Sequence, residues 1–292
     1  MILVTGGAGF IGSHVVDALL AAGDEPVVLD NFVGGDRGNL QAGVRVVEAD
    51  VADPGVVDTI SGLRPRAVIH AAAQVSVAAS MASPAADLGA NVVGTANVLA
   101  GARAGGAERF VFLSSGGGVY GDADGADEKT LPRPKSYYSA HKYLAERYVE
   151  LSGMSYAVAR LANVYGPGQR SDLEGGVVAI FAERLRGGLP VEIYGTGEQS
   201  RDFVHVADVV DALLVMARSD RNGTWNVGTG RATSVLELLW ALEKAIRPAV
   251  EVRYGPPRAG DVTRSRLRVD AIARDLGWHP KYDVEAGVAR TA

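Results

Sequence analysis

Tyr138 and Lys142 have the spacing in this chain that best suits acid–base chemistry. They lie four residues apart in Tyr138–Leu151, a stretch predicted to be helical, so both side chains project from one face. An ammonium group beside a phenol favours the phenolate and lowers the phenol pKa from about 10. Such a tyrosine can take a proton from a hydroxyl near neutral pH. An incidental tyrosine on a surface helix is the alternative, and Pro132 and Pro134 just before the helix argue against it.

Glycines near the start of the chain have the spacing of a diphosphate-binding turn. The segment Thr5–Gly12 reads Thr-Gly-Gly-Ala-Gly-Phe-Ile-Gly, between the first predicted strand and the first predicted helix. In this pattern Gly6 permits a tight turn, Gly9 lets the backbone approach a pyrophosphate, and Gly12 lets the helix pack close to the strand. Free N–H groups and the positive helix end would then meet the phosphates. A simple tight turn would use the same glycines.

An acidic residue at the end of the second predicted strand favours NAD. The Asp30 carboxylate is placed to accept from both hydroxyls of an adenosine ribose, and it would repel a 2′-phosphate. We therefore predict NAD rather than NADP. Asp50 and Val51 follow the third predicted strand and are candidates to contact the adenine. An aspartate that only caps its own loop is an equally good interpretation of Asp50.

Strands and helices alternate through the first half of the chain. Short apolar runs predict strands at Met1–Val4, Pro26–Asp30, Val44–Glu48, Ala67–His70, Arg109–Leu113 and Tyr156–Arg160. Longer Ala- and Leu-rich stretches predict helices at Gly12–Ala22, Pro54–Leu63, Pro84–Ala104 and Tyr138–Leu151. Apolar strands joined by helices indicate a parallel sheet covered on both faces, which is a Rossmann-type, doubly wound α/β fold.

The rhythm changes after Asn163 and predicts a smaller C-terminal lobe interleaved with the first. A loop at Gly166–Gly176 precedes further elements, which are predicted at Val177–Arg186, Val191–Tyr194, from Asp208, Trp225–Val227 and Ser234–Ile246. We assign residues 1–163, with roughly 200–228, to a dinucleotide-binding domain. Residues 164–199 and 229–292 are assigned to a substrate-binding lobe.

Composition excludes several classes of function. A net charge of −5 over 292 residues gives no basic surface for nucleic acid or an anionic membrane. The chain has no cysteine, which excludes disulfides, thiolate metal sites and cysteine catalysis. The five histidines show no metal-ligand spacing. No basic leader precedes the first apolar stretch, and no apolar run is long enough to span a bilayer, so we predict a cytoplasmic protein.

These motifs together resemble the extended short-chain dehydrogenase/reductase family, and most closely its UDP-hexose 4-epimerases, over nearly the whole chain. Val4–His14 resembles the nucleotide signature of the family, and His70–Gln74 resembles its nicotinamide-side loop. Asn91 matches a position that supports the cofactor loops. The cofactor-binding residues that the resemblance implies are Gly6, Gly9, Phe10, Ile11, Gly12, Asp30, Asn31, Asp50, Val51, Ala71, Ala72, Ala73, Gln74, Asn91, Ser114, Tyr138 and Lys142.

The same resemblance implies a UDP-sugar site. Arg160–Pro167 resembles the loop whose Asn163 contacts the diphosphate, and Arg201–Val206 resembles the segment whose Arg201 clamps it. Arginine suits this role because its guanidinium binds phosphate oxygens in a bidentate way. The implied substrate-binding residues are Asn163, Val178, Tyr194 near the uracil, Arg201, Arg258, Asp261 on the uridine ribose, and Arg170.

The chain departs from the family pattern at one catalytic position. The family usually has Ser or Thr three residues before the Val of Val-Tyr-Gly, where it hydrogen-bonds the sugar O4, and here that place is Gly116. We predict that Ser115 supplies the hydroxyl, with Tyr138 acting without it as the alternative. The dehydratases and decarboxylases of the family carry acids where this chain has Gly117 and Gly118, which leaves a redox-neutral epimerase.

The implied reaction inverts C4 of a UDP-hexose through a transient 4-keto intermediate. UDP-glucose and UDP-galactose are the predicted pair. Ser265 lies where the family has its pocket gate and could admit the N-acetyl group of UDP-N-acetylglucosamine. Arg170 lies where related sequences bind the carboxylate of UDP-glucuronate, although a solvated loop charge is the plainer interpretation. A regulator that senses dinucleotide without catalysis is a remote alternative, because such proteins generally lack the Tyr–Lys pair.

The resemblance also implies a homodimer. The helices predicted within Val92–Ala104 and Tyr138–Leu151 resemble those that pair two subunits into a four-helix bundle. This expectation comes from the resemblance and not from the residues themselves.

Overall fold

The elements are those of a computed structural model that describes residues 1–172, 176–246, 250–257 and 263–291. The strands are β1 Ile2–Thr5, β2 Pro26–Asp30, β3 Arg45–Glu48, β4 Ala67–His70, β5 Arg109–Ser115, β6 Ala123–Ala126, β7 Tyr156–Leu161, β8 Asn163–Tyr165, β9 Val191–Tyr194, β10 Ser200–Arg201, β11 Phe203–His205, β12 Gly223–Val227, β13 Thr233–Ser234, β14 Val252–Gly255 and β15 Arg264–Leu267. The helices are α1 Phe10–Ala21, α2 Val56–Leu63, α3 Val77–Ala82, α4 Pro84–Leu88, α5 Gly94–Ala104, α6 Gly116–Tyr120, α7 Tyr137–Leu151, α8 Val177–Arg186, α9 Val206–Arg218, α10 Val235–Ile246, α11 Asp270–Leu276 and α12 Val284–Thr291.

The principal sheet has seven strands in the order β12-β7-β5-β4-β1-β2-β3. Its pairs β1–β2, β1–β4, β2–β3 and β4–β5 are parallel, and every residue of β1, β2 and β4 is buried. Both faces of the sheet are therefore covered, which confirms the predicted Rossmann-type fold. The chain leaves β1 towards β2 and later returns to β4 on its other side, so the switch point lies at the carboxyl ends of β1 and β4.

The first compact unit comprises 1–115, 136–160 and 210–225. Its core is a cluster of buried apolar side chains from the strands and from α2, α5 and α7, which include Leu29, Ile60, Phe110, Phe112 and Val149. Helix α2 packs against α5, and α7 contacts β5. This unit carries the glycine turn and the Tyr–Lys pair.

The second compact unit comprises 116–135, 161–209 and 226–292. Its main core lies among α8, α10 and α12 with β9, and includes Phe181, Leu185, Ile193 and Leu239. A four-stranded sheet, ordered β13-β10-β15-β6, and two pairs, β11–β8 and β14–β9, belong to this unit. The division of the chain differs from the predicted domains, chiefly because 116–135 and 200–209 join the second unit.

The helix predicted over Pro84–Ala104 is interrupted. It consists of α4, a π-helical turn at Gly89–Val93, and α5. A π turn inserts an extra residue into the helix and re-aims the side chains around it. Here it contains Asn91, which is buried and which the family resemblance predicts to support the cofactor loops.

Candidate active site

The glycine turn is packed too closely at Gly6 and Gly12 to admit side chains there. Gly6 has φ +67°, and a Cβ there would lie 2.5 Å from the Ala72 backbone nitrogen. A Cβ at Gly12 would lie 2.1 Å from the Gly6 carbonyl oxygen. Gly9 faces more open space, because its nearest neighbour for a Cβ is the same oxygen at 3.3 Å. The turn therefore seats α1 against the sheet and leaves the side at Gly9 open to a ligand.

The amino end of α1 fits a diphosphate. The helix begins at Phe10, Gly9 precedes it without a side-chain cap, and the first turn holds no acidic residue. Phe10 and Ile11 are partly buried at this end. Uncapped N–H groups and the positive helix end favour a phosphate in this position. The chain thus offers the pyrophosphate of NAD a suitable seat.

The Asp30 carboxylate is fixed beside the turn. Its Oδ2 accepts from the Ala8 backbone N–H at 2.9 Å, and its Oδ1 accepts from the Phe32 N–H at 2.8 Å. The side chain is buried, yet each carboxylate oxygen keeps acceptor capacity beyond these bonds. Asp30 is therefore oriented as a ribose-binding acid requires, and it fits NAD.

The polar residues predicted at the adenine side already form hydrogen bonds with one another and with their own loop. Asn31 Nδ2 donates to Asp50 Oδ2 at 3.0 Å, and Asp50 Oδ1 accepts from the Ala52 N–H at 2.8 Å. These bonds match the loop-capping interpretation of Asp50. Val51 is buried against Gly94, where a Cβ would meet its Cγ2 at 2.7 Å.

The loop after β4, Ala71–Gln74, is tied down by Asn91. Asn91 Nδ2 donates to the Gln74 carbonyl at 3.0 Å and to Asp87 Oδ1 at 3.0 Å. Gln74 Nε2 donates to the same Asp87 oxygen at 2.6 Å. Asn91 Oδ1 is buried and has no hydrogen-bond partner within the described residues. Asn91 thus holds the loop after β4 and keeps one buried acceptor unused.

Buried His70 links the glycine turn to α5. Its Nδ1 lies 2.6 Å from Thr5 Oγ1, and its Nε2 lies 3.0 Å from Thr95 Oγ1. Thr95 Oγ1 itself donates to the Asn91 carbonyl at 2.7 Å. Burial, reinforced by the charge of Lys142, lowers the pKa of His70 to about 3, so the ring is neutral. This chain of bonds holds the β4 end in register with the turn.

Ser115, Tyr138 and Lys142 lie together in the first unit. Ser115 ends β5, and its hydroxyl hydrogen-bonds the Tyr138 phenol. Helix α7 begins just before the phenol, where Ser136 Oγ caps the Ser139 N–H at 3.2 Å. The structure therefore brings the Ser115 hydroxyl to the tyrosine, while Gly116 offers no side chain.

Burial dominates the ionisation of the pair. It raises the pKa of Tyr138 to about 12, the Ser115 hydrogen bond opposes this rise, and the charge of Asp87 adds to it. Burial lowers the pKa of Lys142 to about 8, against the charges of Glu146 and Asp87. The Lys142 ammonium also lies 4.2 Å from the Phe112 ring centroid. The net direction for the phenol pKa is opposite to the predicted fall, because desolvation outweighs the Ser115 hydrogen bond.

The sequence analysis did not identify the polar side chains on and around α7 that lie close to the Tyr–Lys pair. Ser114 Oγ donates to Glu146 Oε1 at 2.5 Å, and Glu146 forms a buried ion pair with Arg160. Asp87 accepts from His141 Nδ1 at 2.6 Å. A usable signal was present, since Glu146 follows Lys142 by four residues and must share its helix face.

A second cluster of predicted residues lies within the second unit. Arg201 on β10 and Ser265 on β15 are register partners. Asn163 begins β8, and its backbone N–H donates to the Asp202 carbonyl at 2.9 Å. A Cβ at Gly117 would lie 3.2 Å from Ser265 Oγ and 3.7 Å from Asn163 Oδ1. The absence of a side chain at 117 thus leaves space among polar groups.

The other predicted substrate residues lie in varied surroundings. Tyr194 ends β9, and its hydroxyl donates to Glu192 at 3.1 Å. Val178 is buried in the apolar core of the second unit. Arg170 is exposed and forms a two-bond pair with Asp172, at 2.9 and 2.5 Å. Arg258 and Asp261 lie outside the described residues.

The part of the chain that the structure describes has neither the side-chain cluster of a metal site nor a membrane-spanning helix. No group of three or more His, Cys, Asp or Glu side chains there could hold a metal ion. No described helix is both long and apolar enough to cross a bilayer.

Comparison with known proteins places the chain in a family. Residues 2–228 match the model of the NAD dependent epimerase/dehydratase family. The chain is 40% identical to a UDP-glucose 4-epimerase of Mycolicibacterium smegmatis, over 99% of this chain and 96% of that protein. It is 42% identical to the Thermotoga maritima UDP-glucose 4-epimerase solved with UDP-glucose, with a TM-score of 0.96 and coverage of 99% and 96%. The Thermus thermophilus UDP-glucose 4-epimerase, solved with NAD, is 42% identical with a TM-score of 0.95 and coverage of 99% and 97%. The chain belongs to the NAD dependent epimerase/dehydratase family.

Proposed function

We propose that this chain is an NAD-dependent UDP-hexose 4-epimerase that interconverts UDP-glucose and UDP-galactose. The observation that carries the proposal is the contact of Ser115 with Tyr138, one helical turn from Lys142, at the carboxyl edge of the sheet that also carries the glycine turn. Relatives that are 40% and 42% identical over 99% of the chain support the substrate class.

In this proposal Tyr138 exchanges a proton with the sugar 4-hydroxyl. NAD, when bound, supplies the redox partner for C4 and, in its oxidised form, a positive charge. Ser115 donates a hydrogen bond to the phenolate and steadies it. Lys142 adds a positive charge that is largely retained at pH 7, because its pKa is about 8. The phenol returns its proton to O4 after C4 is inverted, so no net proton is consumed.

The residues of the second unit support a diphosphate clamp. We propose that Arg201 and Asn163 contact the UDP moiety, with Arg258 and Asp261 assigned by resemblance alone. Acidic side chains are absent at Gly117 and Gly118, where elimination or decarboxylation would need them. The pairing of Arg170 with Asp172 commits that guanidinium locally and disfavours UDP-glucuronate. Because space remains among Gly117, Ser265 and Asn163, UDP-N-acetylglucosamine is one of the sugars to be tested.

Proton NMR of the purified protein with each UDP-sugar tests the proposal. UDP-glucose, UDP-N-acetylglucosamine and UDP-glucuronate are incubated separately without added NAD, since an epimerase regenerates its cofactor and retains it. We expect the galacto product from UDP-glucose. Absence of C4 inversion with all three sugars, even after NAD is supplied, would refute the epimerase.

We also propose that the protein is a homodimer. Apolar side chains remain exposed on α3, α4, the π turn and α7, whose elements contact one another: Val77, Met81, Leu88, Val93, Leu144, Tyr148 and Leu151. An exposed apolar surface of this kind marks a protein contact. A cytoplasmic location is proposed as well, because both UDP-sugars and NAD are charged nucleotides that do not cross a bilayer unaided.

A further inference from the structure

Helix α7 places three ionisable side chains in one row. Tyr138, Lys142 and Glu146 follow at intervals of four residues, which puts them on one face. The helix rises about 1.5 Å per residue, so Glu146 stands roughly 6 Å along the axis from Lys142 and roughly 12 Å from Tyr138. The carboxylate is thus near the lysine and far from the phenol.

The Glu146 carboxylate is fully buried and fully engaged. Arg160 Nε lies 3.0 and 3.2 Å from its two oxygens, and Arg160 Nη2 lies 2.6 Å from Oε2. Ser114 Oγ donates to Oε1 at 2.5 Å. Both partners are themselves buried, on β7 and β5. The three groups connect the helix of the Tyr–Lys pair to the strand end that carries Ser115.

The two carboxylates that act on Lys142, those of Asp87 and Glu146, have different effects on the Tyr–Lys pair. Asp87, which binds His141, favours the charged lysine but opposes ionisation of Tyr138. Glu146 favours the charged lysine and is not among the groups that shift the phenol. His70 is neutral, and the Phe112 ring lies under the ammonium. Glu146 can therefore support the lysine without penalising the base.

We propose that Glu146 is a positioning residue for the Tyr–Lys pair. Its carboxylate, anchored by Arg160 and Ser114, keeps Lys142 charged and directed along α7 towards Tyr138. This role rests on the proposed function in so far as it concerns turnover. Its effect on Lys142 is independent of which reaction the protein catalyses.

The test compares Glu146→Gln with Glu150→Gln, a control on the same helix whose partner is Arg147. The titration of Lys142 is followed by NMR of lysine-labelled protein, with its resonance assigned from a Lys142→Met variant. Only five lysines are present, so the spectrum is simple. We expect the Lys142 midpoint to fall by about one pH unit in Glu146→Gln and to stay unchanged in Glu150→Gln.

Turnover supplies the second readout. The alkaline limb of the kcat profile should move down with the Lys142 midpoint, because the lysine loses its charge at lower pH, while KM changes little. Glu146→Gln leaves Arg160 buried without a carboxylate, and this destabilises the fold. The double variant Glu146→Gln/Arg160→Met removes both charges and should regain stability.

The Lys142 midpoint in Glu146→Gln separates positioning from a purely structural role. Positioning requires a lowered midpoint and a shifted limb in folded Glu146→Gln. A purely structural role lowers the stability of this variant and leaves the midpoint and the limb at their parental values, and that result would overturn the proposal, whichever sugar the enzyme accepts. The double variant reports on stability only, because removal of the Arg160 charge raises the Lys142 pKa and offsets the loss of the Glu146 charge. Failure of the epimerase assay with a shifted midpoint would count against the reaction and not against Glu146.

Discussion

Burial and nearby positive charge have opposite effects on the ionisation of the Tyr138 phenol. The protein buries the phenol and so raises its pKa to about 12, although the base proposed for Tyr138 would have to ionise. Ser115 and Lys142 lie beside it, and NAD⁺ would bring another positive charge. Deprotonation is therefore expected to accompany cofactor binding, because a buried charge is stabilised only by nearby compensation.

Replacement of Tyr138 by Phe should abolish nearly all turnover. The variant removes the proton acceptor and little volume, so kcat should fall roughly 10²–10⁴-fold, the usual contribution of a general base. NMR of C4 inversion measures this loss. Tyr137→Phe is the matched control, since that ring is adjacent and exposed, and it should keep parental turnover. Parental activity in Tyr138→Phe would exclude this residue as the base.

Buried His70 should make the fold sensitive to mild acid. Its pKa is about 3 in the folded chain and about 6.5 when unfolded, so only the unfolded chain binds the proton between these values. Stability should therefore fall as pH drops below 6.5, by about 2 kcal/mol at pH 5. Urea unfolding at pH 5 and at a pH above 6.5 should show that His70→Gln loses less free energy of unfolding than the parent does. The exposed His279→Asn is the control, and an equal loss in all three proteins would contradict this role.

Individual residues differed in how far the sequence could predict them. The ribose-binding role of Asp30 stays a prediction from one acid at the end of one strand, and the structure holds that carboxylate beside the glycine turn. The sequence left two alternatives open, Ser115 as the source of the hydroxyl or Tyr138 acting without it, because only the structure brings the Ser115 hydroxyl to Tyr138. The partner of Glu146, Arg160, follows on another element, and pairing across elements leaves no local spacing to detect.

At the scale of elements, the glycine turn matters because its missing side chains let α1 lie close to the sheet. Gly12→Ala should separate α1 from the turn, because its Cβ would fall 2.1 Å from the Gly6 oxygen. We expect loss of copurified NAD, measured from the released nucleotide, together with a lower Tm. Gly62→Ala is a matched helical control with open space at its Cβ, and it should keep NAD. Retention of NAD by Gly12→Ala would show that the turn does not seat the cofactor.

Strands with a continuous apolar run were predictable, and two-residue strands were not. Pro26–Asp30 and Ala67–His70 match observed strands because continuous apolar runs indicate burial on both faces. Two-residue strands such as Ser200–Arg201 contain too few side chains to show a period. The short helix Gly116–Tyr120 runs against the low helical propensity of glycine, so tertiary context must hold it.

For the whole molecule, the exposed apolar surface on α7 should hold two copies together. Tyr148→Glu places a charge there and should shift the dimer to monomer in light scattering at micromolar concentration. Trp240→Glu on α10 is the control, because that ring is 61% exposed and Tyr148 is 46% exposed. A parental protein that is monomeric at these concentrations would refute the dimer, and so would a dimer that survives Tyr148→Glu.

The interleaved chain also matters during synthesis. Strand β5 ends at Ser115, whereas β12, the last strand of the seven-stranded sheet, ends at Val227. A ribosome adding about 5–20 residues per second needs roughly 6–22 s to cover this interval. During this interval the incomplete sheet ends in an unpaired apolar strand, first β5 and then β7. Such an edge invites pairing with a neighbouring nascent chain, so chaperone shielding on the ribosome would matter most within this window.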